Sequence, residues 1–145
     1  MDYALRPEVP GHLGPSAQLD YSQTPYRVVQ FDVELDGWMG DELCATAGNN
    51  YFVSERLKES IKGRQLTGCT FGVMTVTRSD LFEELEGTTD LPEFSWLKVH
   101  GQQGKDDFAI GAGRDGVPTL VVSSAALDCL RTHTLRQCEV VSIPR

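Results

Sequence analysis

His100 is the residue with the clearest claim to proton chemistry. It ends a β-like run, and Asp106 and Asp107 follow closely. A general base needs a carboxylate to orient its ring, so a small hydrolase or transferase using His100 with Asp106 is one reading. The serines offer no matching nucleophile, because Ser54 and Ser123 each open a helical run and suit an N-cap. GAGRDG (Gly111–Gly116) matches G-x-G-x-x-G but leads into VPTLVV, a β segment. A dinucleotide loop must instead open a helix whose N-terminus meets the pyrophosphate. GQQGK (Gly101–Lys105) is too short for a phosphate loop, and Asp106 follows where a serine or threonine is needed. The carboxylates of EELEGTTD lack calcium-loop spacing and read as a solvated helix face.

Metal chemistry has no better footing. Cysteines stand at 44, 69, 129 and 138 without a C-x-x-C pair, and His12, His100 and His133 are dispersed. The expectation is reduced structural thiols, with Cys69 and Cys138 buried at strand starts, and no metal or cofactor. The first residues show neither a secretory leader nor a membrane span, so a cytoplasmic protein is expected.

Charge narrows the partners. With 21 acidic and 13 basic residues the net charge is −8, which disfavours nucleic acid and anionic membranes but suits a basic protein. The acidic excess gathers in residues 1–50 and again over Asp80–Glu93, where Glu83, Glu84, Glu86 and Asp90 have no lysine or arginine among them.

The elements that would position these groups fall into two similar units. Residues 51–76 and 120–143 each read as an apolar run, a serine, a short helix, a leucine, a cysteine and a second apolar run. Val53, Ser54, Leu66 and Cys69 match Val122, Ser123, Leu135 and Cys138. Residues 1–25, which hold four of the seven prolines, read as an extended arm. Period-two alternation predicts one strand over Tyr26–Leu35, with Val29, Phe31, Val33 and Leu35 on one side. DGWMGDELCATAGNN reads as loop, and Cys69–Val76 as one strand. A helix from Ser79 is expected to bury Leu81, Phe82 and Leu85, and one from Ser124 to bury Ala126, Leu127 and Leu130. Further strands are predicted over Phe94–His100, Phe108–Ile110, Thr119–Val122 and Cys138–Ile143, the middle two as a hairpin. The expected fold is a single α+β domain spanning 1–145, with a mixed or antiparallel sheet and about three short helices.

The stretch FVSERLKESIKGRQLTGCTF, followed by FSWLKVHGQQGKDDFAI and LVVSSAALDCLRTHTLRQCEV, resembles immunity proteins of bacterial polymorphic toxin systems. The resemblance covers residues 50–143 and lacks the paired C-x-x-C-G motifs of some relatives. It implies a non-enzymatic cytosolic inhibitor that binds one toxin and blocks its active site or substrate groove, and it carries over no binding residues. On charge and aromaticity, Trp38 with Asp36, Asp41 and Glu42 forms the first candidate contact patch. Glu83, Glu84, Glu86 and Asp90 form the second. Trp96, inside a strand, is expected in the core. A dimeric structural or regulatory module joined through sheet edges is the remaining alternative.

Overall fold

The computed structural model describes residues 2–23, 26–113 and 115–143. In chain order the elements are β1 (Asp2–Arg6), β2 (Gly11–Leu13), β3 (Gln18–Asp20), β4 (Arg27–Gln30), β5 (Asp32–Leu35), β6 (Leu43–Thr46), β7 (Asn50–Ser54), α1 (Glu55–Gly63), β8 (Cys69–Gly72), β9 (Thr75–Arg78), α2 (Asp80–Glu86), β10 (Phe94–Val99), β11 (Phe108–Ala112), β12 (Pro118–Ser123), α3 (Ser124–Arg131) and β13 (Glu139–Ile143). The fold is α+β: antiparallel pairs dominate, with β5 and β9 a parallel pair.

Two four-stranded sheets, ordered β6-β7-β10-β8 and β11-β12-β1-β13, are built alike. In each, a hairpin leads into a helix, and the strand after the helix is separated from the hairpin by an antiparallel central strand. The register matches residue for residue. Leu97 of β10 faces Tyr51 and Phe71, while Leu5 of β1 faces Leu120 and Val140. Those flanking positions are related by the same offset as the sequence repeat. Each helix starts at a serine whose hydroxyl accepts an amide of the first turn: Ser54 from Leu57 and Ser123 from Ala126, both at 3.1 Å.

α1 and α3 contact one another and bury Leu57, Ile61, Ala126, Leu127 and Leu130 in a core shared by both sheets. Leu5, Tyr51, Val53, Leu97, Phe108, Leu120 and Val122 complete it. The opposite face of the β6-β7-β10-β8 sheet carries Cys44, Phe52, Phe94 and Trp96, which join Phe31, Val33, Leu35 and Phe82 in a second core. Edge-to-face aromatic contacts order that layer, with Phe52–Phe94 centroids 5.1 Å apart and Trp38–Phe94 centroids 6.0 Å apart. Trp96, expected in the core, is only partly buried and packs against it, with its ring 5.3 Å from that of Phe31.

Several expectations need correction. Residues 2–6 are no peripheral arm: β1 is a central strand of its sheet, and Leu5 is fully buried. The run 26–35 breaks at Phe31 into two strands of different sheets. The break reverses the alternation, so Val28 is buried and Val29 is exposed. Cys69–Val76 likewise divides into β8 and β9, with Val73 in solvent between them. β6 lies inside the stretch expected to be loop. In α2 only Phe82 is buried, whereas Leu81 and Leu85 face solvent.

Candidate interaction surface

The 36–42 loop is held by its backbone amides and by the carboxylates of Asp41 and Glu42. Pro10 O accepts the amides of Asp36 (2.9 Å) and Gly37 (3.1 Å). Glu86 Oε2 accepts from Trp38 N (2.8 Å), and the Glu8 carboxylate accepts from Met39 N (2.6 Å) and Asp41 N (3.4 Å). The Asp41 carboxylate in turn receives Arg136 N and Gln137 N, each at 2.7 Å, which ties the loop to residues before β13. Gly40, at φ +104°, supplies the left-handed conformation that this path needs. Burial pushes the Glu8 carboxyl above its ordinary value, although the two amides it accepts pull the other way.

What this loop shows to solvent differs from expectation. Trp38 is half-buried, with its indole N–H donated to Asp41 O at 2.9 Å and its ring on Phe94. Met39, 66% exposed, stands out instead. Asp41 is fully buried and Glu42 only 8% exposed, so neither can form a charged rim around Trp38. Their position next to β6 explains this, because the chain enters the sheet at Leu43. Asp36 is accessible and lies 3.0 Å from His12 Nδ1. Glu83, Glu84 and Asp90 are exposed, and Glu86 is partly buried by the contact with Trp38 N. That contact joins the loop to the end of α2, whose exposed residues include Leu81, Glu83, Glu84 and Leu85.

Glu42, expected at a charged contact rim, is instead a structural hub. It accepts from Ser54 Oγ (2.8 Å), Thr134 N (3.0 Å) and Arg56 (3.2 Å), and lies 3.2 Å from His133 Nδ1. Burial is the largest single influence and raises its pKa. The bonds from Thr134, Ser54 and His133 together outweigh it and hold the carboxyl below its ordinary value.

His133 Nε2 is 2.8 Å from Ser60 Oγ, which completes a Ser60–His133–Glu42 chain with the connectivity of a hydrolase triad. Ser60 lies within α1, however, where the neighbouring amides donate along the helix, so no pair of free backbone donors is set for an oxyanion. The chain of bonds pins α1 to the segment after α3. His100, by contrast, is exposed and makes no hydrogen bond or ion pair with Asp106, whose carboxylate accepts Gln102 N at 2.8 Å. Within GAGRDG, Gly111 and Ala112 end β11 and Gly113 N donates to Val117 O at 3.2 Å; Arg114 lies outside the described residues.

The four cysteines are free thiols. Burial raises Cys44 well above its ordinary value, Cys69 to about 11 and Cys138 to about 12. Cys69 and Cys138 are half-buried, less enclosed than expected. Among the described residues no helix is long and apolar enough to cross a membrane. No family model, curated protein or solved structure matches the chain.

Proposed function

We propose that this chain is an immunity-type protein that binds a basic toxin and occludes its active site or substrate groove, without chemistry of its own. The observation that supports the reading is the 36–42 loop tied to α2 by the Trp38 amide and to Glu8 by the Met39 amide, with Met39, Leu81 and Leu85 exposed. A preordered apolar centre lowers the ordering cost of association, and the carboxylates around it accelerate encounter with a cationic face. The anchor of this reading is Met39 with Leu85, in place of Trp38.

The test uses the product of the adjacent reading frame, co-expressed and then purified with this chain. Protection of cells and a stable complex are expected. Met39→Asp and Leu85→Lys should weaken that complex while leaving the melting temperature unchanged. Glu83→Lys with Glu84→Lys should slow association and flatten its salt dependence. An association rate indifferent to salt and to all four changes sinks the proposal.

The Ser60–His133–Glu42 chain supports a rival, a serine hydrolase. Covalent capture of Ser60 by a fluorophosphonate probe, lost in Ser60→Ala, would establish that rival; an unlabelled serine rejects it.

A further inference from the structure

The two sheets built alike differ at one place. In the β11-β12-β1-β13 sheet, β13 pairs with the whole of β1, and Asp2 and Tyr3 face Ile143 and Ser142. Leu97 corresponds to Leu5, so Phe94 and Ser95 should face Met74 and Val73. Instead β8 pairs with β10 only from Trp96 to Val99. The chain leaves at Val73, which is 91% exposed, and Thr75 joins Asp32 in the parallel pair with β5. Two rungs are therefore missing, and a hollow of about 310 Å³ lined by Phe71, Val73, Met74, Phe94 and Ser95 occupies their place.

This hollow is the middle of a groove. A second hollow of about 540 Å³ shares Lys58 and Phe71 with it, and a third of about 380 Å³ shares Glu55, Met74 and Phe94. One wall is α1 and the other is β8, the free edge of its sheet. The four residues of β8 and the two missing rungs make room for six residues of extended chain, about 20 Å.

Among the described residues, the charged groups lining the groove are Lys58, Lys62, Arg78, Glu55 and Glu93; Glu59 of α1 does not line it. Glu55 is engaged by Ser95 Oγ and by Lys58 at 3.6 Å, and Arg78 donates to Thr89 O at 2.7 Å. Lys98 is drawn over the edge strand, since a Cβ on Gly72 would lie 2.8 Å from its Cε. Lys62 and Lys98 have no anionic partner among the described residues, so the β8 stretch is cationic in a chain of net charge −8. Glu93 marks the opposite end of the groove. Pairing β8 with the β8 of a second copy would set these lysines against their counterparts, which disfavours self-association.

We propose that this groove takes an extended acidic segment of a partner protein, added as a strand along the β8 edge. An apolar side chain fills the hollow between Phe71, Met74 and Phe94, and carboxylates face Lys62 and Lys98. The groove uses none of Met39, Leu81 and Leu85, and neither proposal depends on the other.

An end-capped hexapeptide alternating valine and glutamate, and its valine–lysine counterpart, are the probes. Titration followed by amide NMR should give saturable shifts for the glutamate peptide at Thr70, Phe71, Val73 and Ser95, with the lysine peptide at least about tenfold weaker. Lys62→Glu with Lys98→Glu, both at exposed positions, should reverse that preference in a protein that still folds. Strand addition is read separately from charge: N-methylation of one alternate set of peptide amides should abolish binding, and of the other set should spare it. Equal binding by the two methylated peptides, shifts spread over the remaining cationic surface, or binding indifferent to the lysine reversals would overturn the assignment. A dimer of the free protein whose dilution shifts those same amides would give the edge to a second copy and overturn it as well.

Discussion

Replacing Glu42 with alanine tests whether a carboxylate that reads as surface charge is in fact a structural hub. The side chain is only 10% exposed and accepts from Thr134 N and Ser54 Oγ, with His133 beside it. A hydrogen bond to a charged acceptor contributes about 1.5–3 kcal/mol, so the Thr134 and Ser54 bonds together account for about 3 kcal/mol at the low end. Leaving the nearly buried His133 without its Nδ1 partner adds about 1 kcal/mol. Arg56 is 75% exposed, so its pair adds no more than a few tenths. The expected loss is about 4 kcal/mol, or roughly 2 M in urea midpoint at a slope of about 2 kcal/mol per M. Urea unfolding followed by tryptophan fluorescence measures it. Glu84→Ala, on the exposed face of α2, serves as control and should stay within about 0.5 kcal/mol. A loss below about 1 kcal/mol for Glu42→Ala would refute the hub.

The same carboxylate makes a pH prediction. Its folded pKa lies below the ordinary 4.5, so its contribution is complete above that value and disappears as pH falls through the folded one. The advantage of wild type over Glu42→Gln should therefore shrink below pH 4.5. Glu8 has the opposite sign: its pKa is raised, so wild type should gain on Glu8→Gln as pH falls from neutral toward 4.5. Ser79→Ala, which removes the hydroxyl accepting Phe82 N at 3.1 Å, should cost about 1 kcal/mol in the same unfolding assay. Gly68 adopts φ +92°, and a Cβ there would lie 2.1 Å from Phe108 O; Gly68→Ala should cost more than about 2 kcal/mol. Gly104→Ala, at φ +84° in open space, should cost only about 1 kcal/mol. At pH 8 native Cys69 and Cys138 should react with iodoacetamide at least about a hundredfold more slowly than free cysteine, because little thiolate is present.

What could be read beforehand was what short-range chemistry dictates. The serines before α1, α2 and α3 accept first-turn amides as their positions suggested, and the apolar register of the two similar units reappears in their pairing. Long-range geometry was hidden. Nothing local in DYALR distinguishes a central strand from a peripheral one, since its partners lie beyond residue 118. Asp41 and Glu42 follow Gly40 and resemble a solvated turn; the amides of Thr134, Arg136 and Gln137, arriving from far along the chain, together with Ser54 Oγ make their burial tolerable. Leu81 and Leu85 flank a buried Phe82, and on a seven-residue helix a single aromatic was enough to dock it.

The placement of β1 also constrains how the molecule assembles. Ala4 lies between Val121 and Val141, so one sheet joins residues from opposite ends of the described chain. Closing so large a loop is entropically slow, whereas β6 through β10 can find each other within some sixty residues. During synthesis β6 through β10 can therefore pair while β1 waits, unpaired, for β12 and β13 to emerge. That delay leaves the edges of β1 open to a trapping chaperone or a neighbouring nascent copy until its partners arrive.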